Sequence, residues 1–120
     1  MQPSPAALAW AQRLVRLNTV SRESNLALIE CIADHLRTLR VPIRLTHDDA
    51  RRKANLFATI GVGKPDGLIL SGHTDTVPWD GQAWTRDPLG AAVEGDGRLY
   101  GRGSADMKGF IGLAVAQTER

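Results

Sequence analysis

The stretch Gly67-Leu68-Ile69-Leu70-Ser71 sets three large aliphatic residues in succession between a glycine and a serine. Successive side chains of a strand point to opposite faces. Such a run is therefore at home only where both faces are covered, as in a central strand with helices on either side. The flanking sequence supplies the alternation of helix and strand patterns that this arrangement needs.

Upstream, Ser4-Pro5 is a helix start, with serine as N-cap and proline at the first helical position. Ala7, Trp10, Ala11, Leu14 and Leu17 then follow helical spacing. A second helix, capped by Ser21 or Ser24 and running to about Leu39, buries Leu28, Ile29, Ile32, Leu36 and Leu39, with His35 at the edge of that face. Val41 to His47 and Ala54 to Ile60 read as strands, and Gly61 to Gly67, "GVGKPDG", as the loop before the apolar run. Leu89 to Glu94 and Arg98 to Tyr100 flank "GDG", an Asp-Gly hairpin signal. Met107 to Arg120 is helical in character, with Phe110, Leu113, Ala114 and Gln117 along one side. The expected class is α/β, a mixed, mostly parallel sheet with flanking helices. No Gly, Asn or Pro stop signal follows the last helix, so the chain reads as the first part of a longer one.

Composition excludes several classes of function. Of 120 residues, 42% are apolar, enough for one core, and 15 basic side chains against 13 acidic ones leave only +2. The longest basic run is Arg51-Arg52-Lys53 and aromatic residues make up 5%, so neither a basic stripe nor a stacking platform for nucleic acid is present. The opening "MQPSPAALAW" lacks the basic and apolar regions of a signal peptide, and no apolar run is long enough to cross a membrane. Cys31 is the only cysteine, which rules out an intrachain disulfide and a thiolate zinc cluster; within its helix it reads as a small buried hydrophobe. The chain reads as cytoplasmic, with no nucleic-acid or membrane partner.

Two glycine patterns fail as phosphate sites. Around Gly63-Lys64, Ala58 stands where a phosphate loop needs its first glycine and Pro65 where it needs Ser or Thr. In "GRGSAD", Asp106 occupies the third glycine position of a dinucleotide fingerprint, where a carboxylate would face the pyrophosphate. Asp106 suits other chemistry. It lies at a strand-to-helix turn, and in open α/β sheets such turns carry ligand sites. His73 and Asp75, two residues apart at the end of the apolar run, share one side of their segment. If the strand ending at His73 lies in the middle of the sheet, His73, Asp75 and Asp106 can converge. Imidazole and carboxylate suit zinc, cobalt or manganese, and Asp75 could accept the other ring N–H of His73. The alternative is a structural hydrogen bond at the strand end.

The segments "SGHTDTVP", "DGQAWTRDPLG" and "DGRLYGRGSADMKGF", with "NTVSRESNLALIE" and "RRKANLFATIG" upstream, together resemble the co-catalytic zinc amidohydrolases of the aminoacylase and carboxypeptidase family. The resemblance implies two Zn2+ ions, or Co2+, per complete site, with His73 a ligand of the first ion and Asp106 the bridging carboxylate. Asp75 would be the catalytic aspartate that holds the His73 ring, and the Asp106-Met107 peptide would be cis. It implies hydrolysis of an N-acylated amino acid and a homodimer formed through a lid domain outside this chain. The general base and the remaining ligands would also lie outside it, the chain being the N-terminal part of the catalytic domain. Trp79, Trp84 and Tyr100 are expected to pack in the core or loops, and Arg102 to pair with a carboxylate. The rival reading is a non-catalytic product that keeps the first half of the fold as a relic or an interaction module.

Overall fold

The computed structural model describes residues 2–61, 63 and 65–119. Val62 and Lys64, within the expected "GVGKPDG" loop, and Arg120, at the end of the expected last helix, lie outside the described residues. Helix α1 spans Pro5–Val15. Ser4 caps it as expected, its Oγ accepting the Ala7 N–H at 3.2 Å, and Pro5 occupies a position whose N–H would have no helical partner. Helix α2 spans Leu26–Thr38 and buries Leu28, Ile29, Ile32, Ala33 and Leu36. The Ser24 hydroxyl accepts the Leu26 N–H at 3.1 Å, while Asn25, at the cap position, makes no side-chain cap bond.

Strands β1 (Ile43–His47) and β2 (Ala54–Ala58) pair antiparallel, with Ile43 opposite Ala58 and His47 opposite Ala54. Asp48 closes their connection, its Oδ1 accepting the N–H groups of Arg52 and Lys53 at 2.8 and 2.9 Å. These two donors, Lys53 foremost, hold its carboxyl below the usual carboxylate range. Strands β3 (Ala92–Val93) and β4 (Leu99–Tyr100) form a second antiparallel pair around the expected Asp-Gly turn, where Gly97 adopts φ +75°. Helix α3 spans Lys108–Gln117.

The class is mixed α/β, but the mostly parallel sheet is not found among the described residues. Each strand pair is joined by a short turn, and a short turn returns the chain antiparallel; a parallel pair needs a long crossover. The one parallel contact among the described residues outside these pairs is the isolated bridge between Val20 and Thr76. The apolar run forms no strand either: Leu68, Ile69 and Leu70 are 87%, 76% and 60% exposed. No described strand lies beside it to take its backbone groups or cover its faces.

The core gathers Ala7, Trp10 and Leu14 of α1, Leu28, Ile32 and Leu36 of α2, and Val115 and Ala116 of α3. Helix α1 packs on α3, while α2 packs on β1 and β2. Gly112 makes the first contact possible: a Cβ there would stand 2.7 Å from the Ala11 nitrogen and 2.8 Å from its Cα. The buried side of α3 is thus Lys108, Gly112, Val115 and Ala116, and the expected stripe faces outward, with Phe110, Leu113 and Gln117 exposed. The helix is apolar on nearly every side, so spacing alone could not select the face. Close approach at Gly112 selects it.

Candidate metal site

His73 lies on an irregular segment that crosses the start of α3. Its backbone N–H points at the Met107 Sδ at 3.4 Å, and the Thr76 N–H donates to the Thr19 carbonyl at 3.0 Å. Although no sheet ladder forms here, the period of two survives. Thr74 and Thr76 turn inward, and His73, Asp75 and Val77 turn out.

Asp106 reaches the same point from the turn before α3. The Lys108 N–H donates to the Gly103 carbonyl at 2.8 Å, and Gly103 takes φ +86°, a conformation that favours glycine. The Asp106-Met107 peptide is cis. His73 Nε2 stands 2.9 Å from Asp106 Oδ1, and His73 Nδ1 stands 3.0 Å from the Asp75 carbonyl and 3.3 Å from Asp75 Oδ1. The three residues line an open recess of about 190 Å³ together with Thr76, Gly103 and Ser104. Side-chain exposures of 48% for His73, 56% for Asp75 and 85% for Asp106 leave the donors facing solvent.

The geometry brings the three sequence-selected residues together, with one refinement. Asp75 meets the ring first through its main-chain carbonyl and only then through its carboxylate. The Asp75 carbonyl, then the Asp106 carboxylate, holds the His73 imidazole above its ordinary pKa. A neutral ring that donates Nδ1–H to the Asp75 carbonyl presents its Nε2 lone pair toward Asp106. Ligands bonded to one ion at about 2.0–2.2 Å lie within roughly 4 Å of each other, so Nε2 and Oδ1 are spaced as two donors to one divalent cation. Among the described residues, no group of three or more His, Cys, Asp or Glu side chains is arranged to hold an ion. His73 and Asp106 fit such an ion as an incomplete donor set.

Arg102, expected to pair with a carboxylate, meets none among the described residues. Its guanidinium lies 5.1 Å from the centre of the Trp84 ring and donates to Gln82 Oε1 at 2.5 Å. Its Nε is the one buried side-chain nitrogen or oxygen without a partner among the described residues. Trp84 and Gln82 occupy its far end, where the carboxylate was expected. Trp84 packs in a loop as expected, while Tyr100 lies on strand β4, beneath Arg86 at 3.9 Å and bonded through its hydroxyl to Asp96.

Three residues around the site escaped sequence reasoning. Lys108 is 1% exposed and gives its ammonium to the Leu17 carbonyl at 2.6 Å; burial lowers its pKa to about 8. Thr19 donates Oγ1–H to the Thr74 carbonyl at 2.5 Å, and Asn25 donates to Thr74 Oγ1 at 3.0 Å. A Thr or Asn before a helix reads as a cap, and nothing in the spacing says that these turn inward. Lys108 signalled itself only by standing two residues after Asp106.

Residues 69–120 match the model of Peptidase family M20/M25/M40. Over 94 residues the chain is 48% identical to acetylornithine deacetylase from Proteus mirabilis (strain HI4320) and 48% identical to that from Shigella sonnei (strain Ss046). It is 45% identical over 94 residues to acetylornithine deacetylase from Photorhabdus laumondii subsp. laumondii. Each match takes in 78% of this chain and 24% of the relative, so the chain spans about a quarter of the length of these curated relatives.

Proposed function

We propose that this chain, a relative of the acetylornithine deacetylases with a Peptidase family M20/M25/M40 match over residues 69–120, supplies the first metal ligands of a metal-dependent amide hydrolase. The observation that carries this reading is the approach of His73 Nε2 to Asp106 Oδ1 at 2.9 Å in an open recess. The proposed reaction is hydrolysis of N2-acetyl-L-ornithine to L-ornithine and acetate, a step of arginine biosynthesis, in the cytoplasm. Water adds to the acetyl carbon, the C–N bond breaks, and a proton passes to the leaving amine.

His73 and Asp106 would hold the first Zn2+ or Co2+, and Asp106 would also serve a second ion. Such ions, when bound, lower the pKa of water and polarise the amide carbonyl. Asp75 fixes the His73 ring through Nδ1, which keeps Nε2 aimed into the recess. Catalytic zinc sites use three protein ligands, and amide hydrolysis needs a base. In this reading the remaining donors, the base and a dimer-forming domain belong to the part of the relatives' length that this chain does not span. Desuccinylation of succinyl-diaminopimelate is the rival within the same chemistry; the three named deacetylases, with "SNLALIE" and "DGQAWTRDP", favour the acetyl substrate.

The test is a graft of this chain in place of the matching 24% of the Proteus mirabilis relative. The graft is expected to release ornithine from N2-acetyl-L-ornithine when loaded with Zn2+ or Co2+, and His73→Ala is expected to lower turnover by at least about 10²-fold. A folded graft without turnover, or one indifferent to His73→Ala, would refute the reading. The 120-residue chain alone is expected to give no ornithine, because His73 and Asp106 leave the donor set incomplete.

A further inference from the structure

The segment that carries His73 and Asp75 has no strand ladder to fix it, yet metal ligands must be held to within a fraction of an ångström. Besides the contact of the His73 N–H with Met107 Sδ, one loop, residues 16–25, ties it down. The Thr19 hydroxyl donates to the carbonyl of Thr74, the residue between His73 and Asp75, at 2.5 Å. The Asn25 amide donates to the Thr74 hydroxyl at 3.0 Å. Asn25 is in turn locked to the start of β2, giving Nδ2–H to the Ala54 carbonyl and accepting the Ala54 N–H, both at 2.9 Å. The loop backbone brackets Thr76, whose N–H bonds the Thr19 carbonyl and whose carbonyl accepts the Ser21 N–H at 2.9 Å. The same loop receives the Asp106 side of the site, since Lys108 Nζ donates to the Leu17 carbonyl.

Burial makes these bonds more than incidental. Thr19 is 2% exposed and Asn25 8% exposed. A buried hydroxyl or amide is tolerated only when its bonds are made, and a valine would fill the Thr19 volume without that demand. The Thr19 bond falls on Thr74, between the two residues whose side chains build the recess.

We infer that Thr19 and Asn25 are positioning residues for the metal site: their side chains hold Thr74 so that His73 faces Asp106. The inference rests on the metal-site reading above. Neither residue touches the proposed ion or the substrate; both act through the backbone and side chain of Thr74.

The experiment follows Co2+ titrated into the graft of this chain into the Proteus mirabilis relative, where the donor set is complete, by paramagnetic broadening of the His73 ring resonances in NMR. Thr19→Val keeps the shape and removes the donor, and Thr19→Ser keeps the donor. Thr19→Val is expected to raise the Co2+ dissociation constant about tenfold or more, the usual scale when a ligand's orienting partner is lost, and Thr19→Ser to stay within about twofold of wild type. Co2+ affinity is compared only between chains that retain dispersed amide spectra, so loss of stability alone does not produce the difference. Equal affinity in Thr19→Val and wild type overturns the inference, as does a serine variant as weak as the valine one. If Thr19→Val does not fold, Thr74→Val, which removes the acceptor for Asn25, is expected to weaken Co2+ at least about threefold, and unchanged binding there overturns the inference. A wild-type graft in which Co2+ leaves the His73 ring unbroadened refutes the metal-site reading itself, and the inference with it.

Discussion

The loop 16–25 and the run 67–71 invert the usual association of polarity with surface. The loop holds Thr19 at 2% and Asn25 at 8% exposure, whereas the run exposes Leu68 at 87%. Thr19 and Asn25 are buried because each meets a partner: a carbonyl, a hydroxyl, or the start of β2. The run is uncovered because no neighbouring strand meets it among the described residues. Hydrophobicity states what a segment needs; its neighbours decide what it receives. Helical segments meet their backbone demand internally, and strands cannot.

Substitutions in the two regions can break or sharpen this contrast. The largest loss is expected for Asn25→Leu, which leaves the Ala54 N–H and carbonyl without their partners. At about 1–3 kcal/mol for each unsatisfied buried group, the urea midpoint should fall by the equivalent of about 2 kcal/mol or more. Next comes Val20→Ala within the same loop. Val20 is 1% exposed, and removing two buried methyl groups should cost about 1.5 kcal/mol in the same measurement. Smallest is Ile69→Ala in the exposed run, expected within about 0.5 kcal/mol of wild type. A loss at Ile69 as large as that at Val20 would show that the run is covered in solution and would dissolve the contrast. A near-neutral Asn25→Leu would break it from the other side.

The sequence made the helices legible because their signals are local. Ser4 and Pro5 mark a start, and Leu28, Ile32 and Leu36 mark a face. The Asp-Gly hairpin was legible for the same reason, since a two-strand turn is set by a few residues. The sheet was not. Strand order depends on partners distant in sequence, and the aliphatic run announced a central strand without naming its neighbours. The face of α3 was hidden because Phe110, Ile111, Leu113 and Val115 spread around the helix, and the deciding residue, Gly112, carries no side chain. Of the site, the His73–Asp75 spacing and the place of Asp106 before a helix were readable, and the motif resemblance joined them. Arg102 was misread because a cation near an aspartate suggests an ion pair, while its actual companion, Trp84, lies 18 residues away in sequence. Thr19 and Asn25 were invisible because an inward-turned polar residue and a helix cap share the same letters.

The close seating of Gly112 on Ala11 also dictates a timetable. Ala11 leaves the ribosome about a hundred residues ahead of Gly112, an interval of roughly 5–20 s at the usual pace of synthesis. During that time Trp10 and Leu14 can pack against α2 but have no α3 to close over them. Helix α1 therefore waits, partly bare, and the recess between His73 and Asp106 takes shape only when the last helix emerges. A nascent chain of this design gives binders of apolar surface several seconds in which to act.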